Sequence, residues 1–204
     1  MAGNRKLLGN SIAREQFLLN EARIVARMRL EGMTEKEVCA KVKAENLFQY
    51  PTERTLQKIS RACNKRIDAL GSEELVRAIA YGMSDAAAQA NLYAMMRLYP
   101  LVRHFMITEI ARKYETLDYT YSAMDMNAYF TRLATEYDNF ATSSEETVKK
   151  LKQVLRKSLA SAGLLTGKHS DELVPIFLDP EVEGAIRALG DSEALRAFNC
   201  QEVF

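Results

Sequence analysis

Apolar residues recur along this chain three and four positions apart, the spacing of one helix face. Over residues 11–31, Ile12, Phe17, Leu18, Ala22, Ile24, Val25, Met28 and Leu30 predict a helix that Gly32 stops. Thr34-Glu35-Lys36-Glu37 reads as a capping box, in which the Thr34 hydroxyl and the Glu37 carboxylate satisfy each other's free amides. The helix it opens carries Val38, Cys39 and Val42 and ends near Asn46. Residues 47–52 predict a turn, because Pro51 biases Tyr50 away from helix, and Thr52 caps a helix over 53–70 that ends at Gly71. Ser72 caps a helix over 73–81, Ser84 caps another through Tyr99, and Pro100 suits the first turn of a third that reaches Tyr114.

Beyond Tyr119 the periodicity restarts. Residues 124–137 predict a helix, and Thr142-Ser143-Ser144-Glu145 starts a strong one that runs to Ala162, with Gly163 as its stop. Leu164-Leu165-Thr166 and residues 173–178 flank a Gly167-Lys168-His169-Ser170 turn, which predicts a short hairpin limited to edge pairing by Pro175. Helices over 181–189 and 192–198 close the chain. The fold class is therefore all-α, mainly helical, with a small C-terminal β-hairpin.

Composition adds limits. The 204 residues are 48% hydrophobic and 27% charged, the balance of a globular protein. The greasiest region, residues 92–110, is interrupted by Arg97, Arg103 and His104, so no membrane span is expected, and residues 1–6 lack the apolar run of a signal peptide. Cys39, Cys63 and Cys200 are odd in number and show no CxxC spacing, which fits a reducing cytoplasm; Cys39 and Cys63 read as core thiols. The stripes Leu92, Met95, Met96, Tyr99 and Leu101, Phe105, Ile110 likewise read as core.

Charge changes the picture most. The net of +1 divides into +6 over residues 1–70, −5 over 71–148, +6 over 149–168 and −6 over 169–204. On the helix over 53–70, at roughly 100° per residue, Arg54, Lys58, Arg61 and Lys65 fall within about 60° of one another, opposite Leu56, Ile59, Cys63, Ile67 and Leu70. Arg66 sits at the flank. Preceded by a short capped helix and a turn, this is the outline of a helix-turn-helix, with a turn longer than usual. On the helix over 145–162, Lys149, Lys150, Gln153, Arg156 and Lys157 spread over one half, against Val148, Leu151, Val154, Leu155 and Leu159. The following hairpin, with Lys168 and His169 at its tip, gives this region a winged-helix outline. A duplex carries about one charge per 1.7 Å of axis, and neutralising its phosphates releases counterions, so two cationic helix faces point to nucleic acid. The lobes implied are residues 1–71 (helix-turn-helix-like), 72–120 (central helical) and 121–204 (winged-helix-like).

Catalysis finds little support. His104 and His169 are isolated, no GxSxG, HExxH or P-loop pattern occurs, and Asp179, Glu181 and Glu183 read as a solvated helix start. A non-enzyme with no metal and no cofactor is expected.

The blocks Leu18-Leu19-Asn20-Glu21-Ala22-Arg23-Ile24-Val25-Ala26-Arg27 and Glu45-Asn46-Leu47-Phe48-Gln49-Tyr50, with residues 52–61, resemble the BrxA family of bacteriophage-exclusion (BREX) defence systems. Leu92-Tyr93-Ala94, Leu98-Tyr99, Val102-Arg103-His104-Phe105 and residues 158–165 extend the resemblance over nearly the whole chain. It implies a small cytoplasmic accessory protein, helical, binding DNA through helix-turn-helix-like ends, and encoded beside a methyltransferase, an alkaline-phosphatase-like protein and an ATPase. An older likeness to an RNA-binding antitermination factor supplies the alternative of RNA; a protein-protein scaffold is the third. The family offers no catalytic residues. Glu21, Arg23 and Arg27, charged residues in an apolar helix, are expected to pair internally or with the acidic middle block. The partner expected is double-stranded DNA, together with other BREX components.

Overall fold

The computed structural model describes residues 6–9 and 11–200; residues 1–5, on which most of the signal-peptide expectation rested, lie outside them. The chain is mostly helical, with almost no strand among the described residues. It forms two compact units, each assembled from separated stretches. One comprises residues 17–98 and 178–191, the other the described residues among 1–16, with 99–177 and 192–200.

The first unit contains α2 (Leu19–Leu30), α3 (Glu35–Glu45), α4 (Glu53–Leu70), α5 (Glu73–Tyr81), α6 (Ser84–Leu98) and α12 (Pro180–Ala188). Its boundaries follow from local chemistry. The Thr34–Glu37 capping box forms, Thr52 Oγ1 accepts from the Thr55 amide, and Ser72 Oγ accepts from the Leu75 amide. At the end of α4, Gly71 turns left-handed at φ 68°, where a side chain would be strained. Helix α4 packs on α2, α3 and α6 through Leu56, Ile59, Ala62, Cys63, Ile67 and Leu70, all buried. Fully burying such an aliphatic side chain contributes about 1.5–3 kcal/mol. Helix α12 covers α5 and α6, tied by the Asp179 amide to Gln89 Oε1 at 2.9 Å and by the Tyr93 hydroxyl to Asp191 at 3.1 Å.

The single helix expected over 11–31 is two. Helix α1 (Ile12–Glu15) ends before α2 begins, because Gln16 and Leu18 both adopt positive φ, 47° and 52°. The Phe17 carbonyl freed by this break is buried and accepts from Arg66 Nη1 at 2.6 Å and Asn91 Nδ2 at 2.7 Å.

The second unit holds α1, α7 (Pro100–Phe105), α8 (Ala111–Glu115), α9 (Ala123–Glu136), α10 (Asp138–Ala141), α11 (Glu145–Ser161) and α13 (Ser192–Ala197). Between α7 and α8 the expected helix widens into a π-turn over Met106–Ile110. Phe105, Tyr121 and Tyr129 stack edge-to-face at 5.3–5.5 Å, and Tyr129 reaches Phe130 at 5.4 Å, giving the unit an aromatic centre. A second capping box, Ser122–Asp125, opens α9. Where the hairpin was expected there is an isolated antiparallel bridge, Leu165–Leu173, and no ladder among the described residues. The 171–173 backbone is shared with another segment: the Tyr121 amide donates to Asp171 O at 2.7 Å and the Leu173 amide to Tyr119 O at 2.9 Å. Pro175 then ends any pairing.

Candidate nucleic-acid interface

Helix α4 is the clearest site in the molecule. Arg54, Lys58, Arg61 and Lys65 are all exposed, as their shared angle on the helix requires. None of them hydrogen-bonds or ion-pairs with any described residue. The two acids of α4 are neutralised from outside: Glu53 by Lys43 of α3 at 2.9 Å, and Asp68 by Arg29 of α2 at 2.6 Å. The ridge therefore keeps its charge, over a length of about 16 Å at 1.5 Å per residue.

Arg66 is not part of it. It is fully buried, and its guanidinium holds the Phe17 carbonyl. At roughly 120° from Arg54 it borders the apolar seam, and the free carbonyl of the α1–α2 break draws it inward. It was the wrong side of the helix to count as a contact.

Arg23 and Arg27 pair internally, with carbonyls in place of the expected carboxylates. Arg23 Nε donates to Ile79 O at 3.1 Å and its Nη2 to Gly82 O, while Arg27 Nε donates to Ala80 O at 3.0 Å. Two cations thus cap the C-terminus of α5, where the helix dipole favours them. Gly82 is required there: a Cβ would stand 2.4 Å from Ala78 O. Glu21 accepts from the Tyr50 hydroxyl at 2.7 Å, and burial with that carboxylate pushes Tyr50 up to about 12. This bond ties the α3–α4 turn to α2.

On α11 the expected contacts divide. Lys149, Lys150, Gln153, Lys157 and Lys168 are exposed. Lys150 pairs with Glu146 at 2.7 Å, and Lys157 donates to Gln16 at 3.2 Å. Arg156 is a brace rather than a free contact. Its guanidinium donates to Lys168 O at 3.1 Å, Tyr121 O at 3.3 Å, Ser170 O at 2.6 Å and the Asp171 carboxylate. It holds the 167–171 turn because those carbonyls, lacking a strand ladder, need donors. No residue type or spacing in the sequence marks this role; the Arg alone was visible.

Elsewhere, His104 Nδ1 lies 3.0 Å from the Tyr129 hydroxyl, and Glu109 of the π-turn accepts from Arg132 at 2.5 Å. Asp179 caps α12, and Glu183 pairs with Arg187 at 2.6 Å, the solvated helix start that was expected. Cys63 is buried; Cys39, only half-buried, accepts from the Ser60 hydroxyl at 3.2 Å. No helix among the described residues is long and apolar enough to cross a membrane.

The fold and this site define a helical two-unit protein whose most concentrated chemistry is one uncompensated cationic helix face. The chain belongs to the BrxA family, whose model matches residues 9–190. It is 29% identical over 183 residues to the BREX protein BrxA of Bacillus cereus (strain H3081.97), spanning 89% of this chain and 91% of that one. It is 21% identical over 178 residues to the BREX protein BrxA of Paramagnetospirillum magneticum (strain AMB-1), spanning 87% and 89%. In fold it matches the crystal structure of an uncharacterized protein from Magnetospirillum magneticum, with a TM-score of 0.80, 19% identity, and coverage of 95% of this chain and 99% of that one.

Proposed function

We propose that this BrxA-family protein is a non-enzymatic component of a BREX phage-defence system that binds double-stranded DNA in the cytoplasm, largely through phosphate contacts. The observation that carries the proposal is the α4 ridge: four exposed cations without partners, on a helix whose acids are neutralised by its neighbours. Paired surface lysines serve solubility equally well; a row kept free of counter-charge favours a polyanion. Helices α3 and α4, with the turn that Tyr50 secures, act as a helix-turn-helix, and α4 enters or crosses a groove. Helix α11 adds Lys149, Gln153 and Lys157, and the turn braced by Arg156 presents Lys168 to the backbone as a short wing would. The ridge offers no Asn and no paired Gln for adenine edges, which favours positioning over sequence readout.

The test is fluorescence anisotropy on a labelled duplex across a salt series. The wild type should show a log–log slope of about −0.9 per phosphate neutralised, and Lys58→Glu with Arg61→Glu should lower affinity more than about tenfold and flatten the slope. A slope near zero in the wild type, or a double variant that binds like it, would defeat the proposal.

A further inference from the structure

The four free cations of α4 stand in a straight row that has a definite length and width. At 1.5 Å of rise per residue, Lys58 and Arg61 are about 4.5 Å apart at its centre, and Arg54 and Lys65 about 16 Å apart at its ends. The row is also narrow. Ala62 and Asn64, about 80° from Arg54 on either side, are 4% and 0% exposed, and α2, α3 and α6 pack around the helix. Gln57 and Ala69, at the margins, are half-buried. Past its first turn, α4 therefore offers a strip roughly 120° wide, with no free cation on either flank.

Three placements on a duplex meet this strip differently. A single strand winds about 35° around the axis at each phosphate, so a straight row of four leaves it after the first contacts. The major groove is about 12 Å wide and 8.5 Å deep, and a helix must sink between its walls to reach the floor. Flanks packed against three other helices keep α4 out, and Lys58 and Arg61 would hang over the open groove. The minor groove is about 6 Å wide, so the central pair fits between its walls while Arg54 and Lys65 overhang by about 5 Å on each side, over the phosphates. Cations are drawn most strongly into that groove where A·T tracts narrow it. A G·C pair instead places the guanine amino group there, a donor facing two side chains that accept nothing.

We infer that α4 lies across the minor groove of an A·T-rich duplex, with Arg54 and Lys65 on the two flanking strands and Lys58 and Arg61 directed into the groove. This placement rests on the reading of α4 as the duplex contact and adds to it the kind of duplex.

Inosine separates the grooves, because an I·C pair matches G·C in the major groove but lacks the amino group in the minor one. Anisotropy with the full chain would compare labelled duplexes of about 20 base pairs, two helical turns, with an A·T, a G·C or an I·C core. The A·T and I·C cores should bind about tenfold more tightly than the G·C core, and netropsin, a minor-groove ligand, should displace the chain from A·T. Lys58→Ala with Arg61→Ala should erase the preference. Arg54→Ala with Lys65→Ala should weaken binding to all three duplexes by the same factor and keep it. Binding to I·C that equals G·C and falls below A·T would overturn the placement by pointing to the major groove. Equal binding to all three duplexes, or to the single strand and the A·T duplex, would overturn it too. If those equal affinities fall steeply with salt, the placement fails and duplex binding by α4 stands; if no duplex binds, both fail.

Discussion

Two neighbouring residues on α4 show how far a single position on a helix decides a side chain's task. Lys65 is exposed and unpartnered; Arg66, one residue on, is fully buried against the Phe17 carbonyl. Removing the Arg66 guanidinium deprives a buried carbonyl of one donor and opens a cavity, while Lys65 leaves nothing unsatisfied. Arg66→Ala should therefore lower unfolding free energy by about 2–4 kcal/mol in a urea titration. Lys65→Ala should stay within about 0.5 kcal/mol. Duplex affinity should move the opposite way, falling for Lys65→Ala and holding for whatever Arg66→Ala remains folded. If Arg66→Ala proves as stable as the wild type, its burial is not structural.

The elements carry a parallel division between bracing and free charge. Arg156→Ala should destabilise, by about 1–3 kcal/mol, since it leaves turn carbonyls without donors, whereas Lys149→Glu should be nearly neutral in stability. The loop between α8 and α9 adds a pH dependence. The Lys113 ammonium, 2.6 Å away, and the Thr120 hydroxyl hold the Asp118 carboxyl below its usual range. Burial pushes Asp125 up, but the Ser122 hydroxyl and amide and the same ammonium outweigh it and lower the carboxyl on balance. A depressed carboxylate stabilises fully above its unfolded value and loses that contribution as pH falls through its folded one. The native state should therefore weaken below about pH 4, and Asp118→Asn with Asp125→Asn should flatten that fall in melting curves. Lys113 is raised by the two carboxylates despite its burial, so its contribution persists up to about pH 10.5 and fades above. Most element boundaries were legible in the sequence because they are set locally, by Thr34, Thr52, Ser72, Ser144 and Gly71. The ridge was legible for the same reason, being pure periodicity. What escaped was tertiary: the break at residues 16–18 is stabilised by Arg66 and Asn91 from far along the chain. The wing reduces to one bridge because residues 171–173 also pair with residues 119–121, and Arg156 is recruited by that turn. No local pattern encodes any of these.

Across the whole molecule, charge that looked segregated along the chain is balanced in space. The unit of residues 17–98 and 178–191 holds 14 Lys/Arg and 14 Asp/Glu; the described residues of the other hold 13 and 12. Any attraction to a polyanion must then come from a patch, and at physiological salt its field decays over about 8 Å. Substituting cations off the ridge, such as Arg77 or Arg187, each paired with a glutamate four residues earlier, should leave duplex affinity within about twofold. A loss equal to that of Lys58→Glu would mean that overall charge, and not the ridge, drives association. The interleaved build of the units also matters during synthesis. Helix α12 covers α5 and α6, yet it follows α6 by some eighty residues of the other unit. At about 5–20 residues per second, the ribosome leaves that helical face bare for roughly 4–16 s. A nascent chain of this protein therefore spends those seconds with an uncovered apolar surface, and it is then, before release, that it most needs a chaperone.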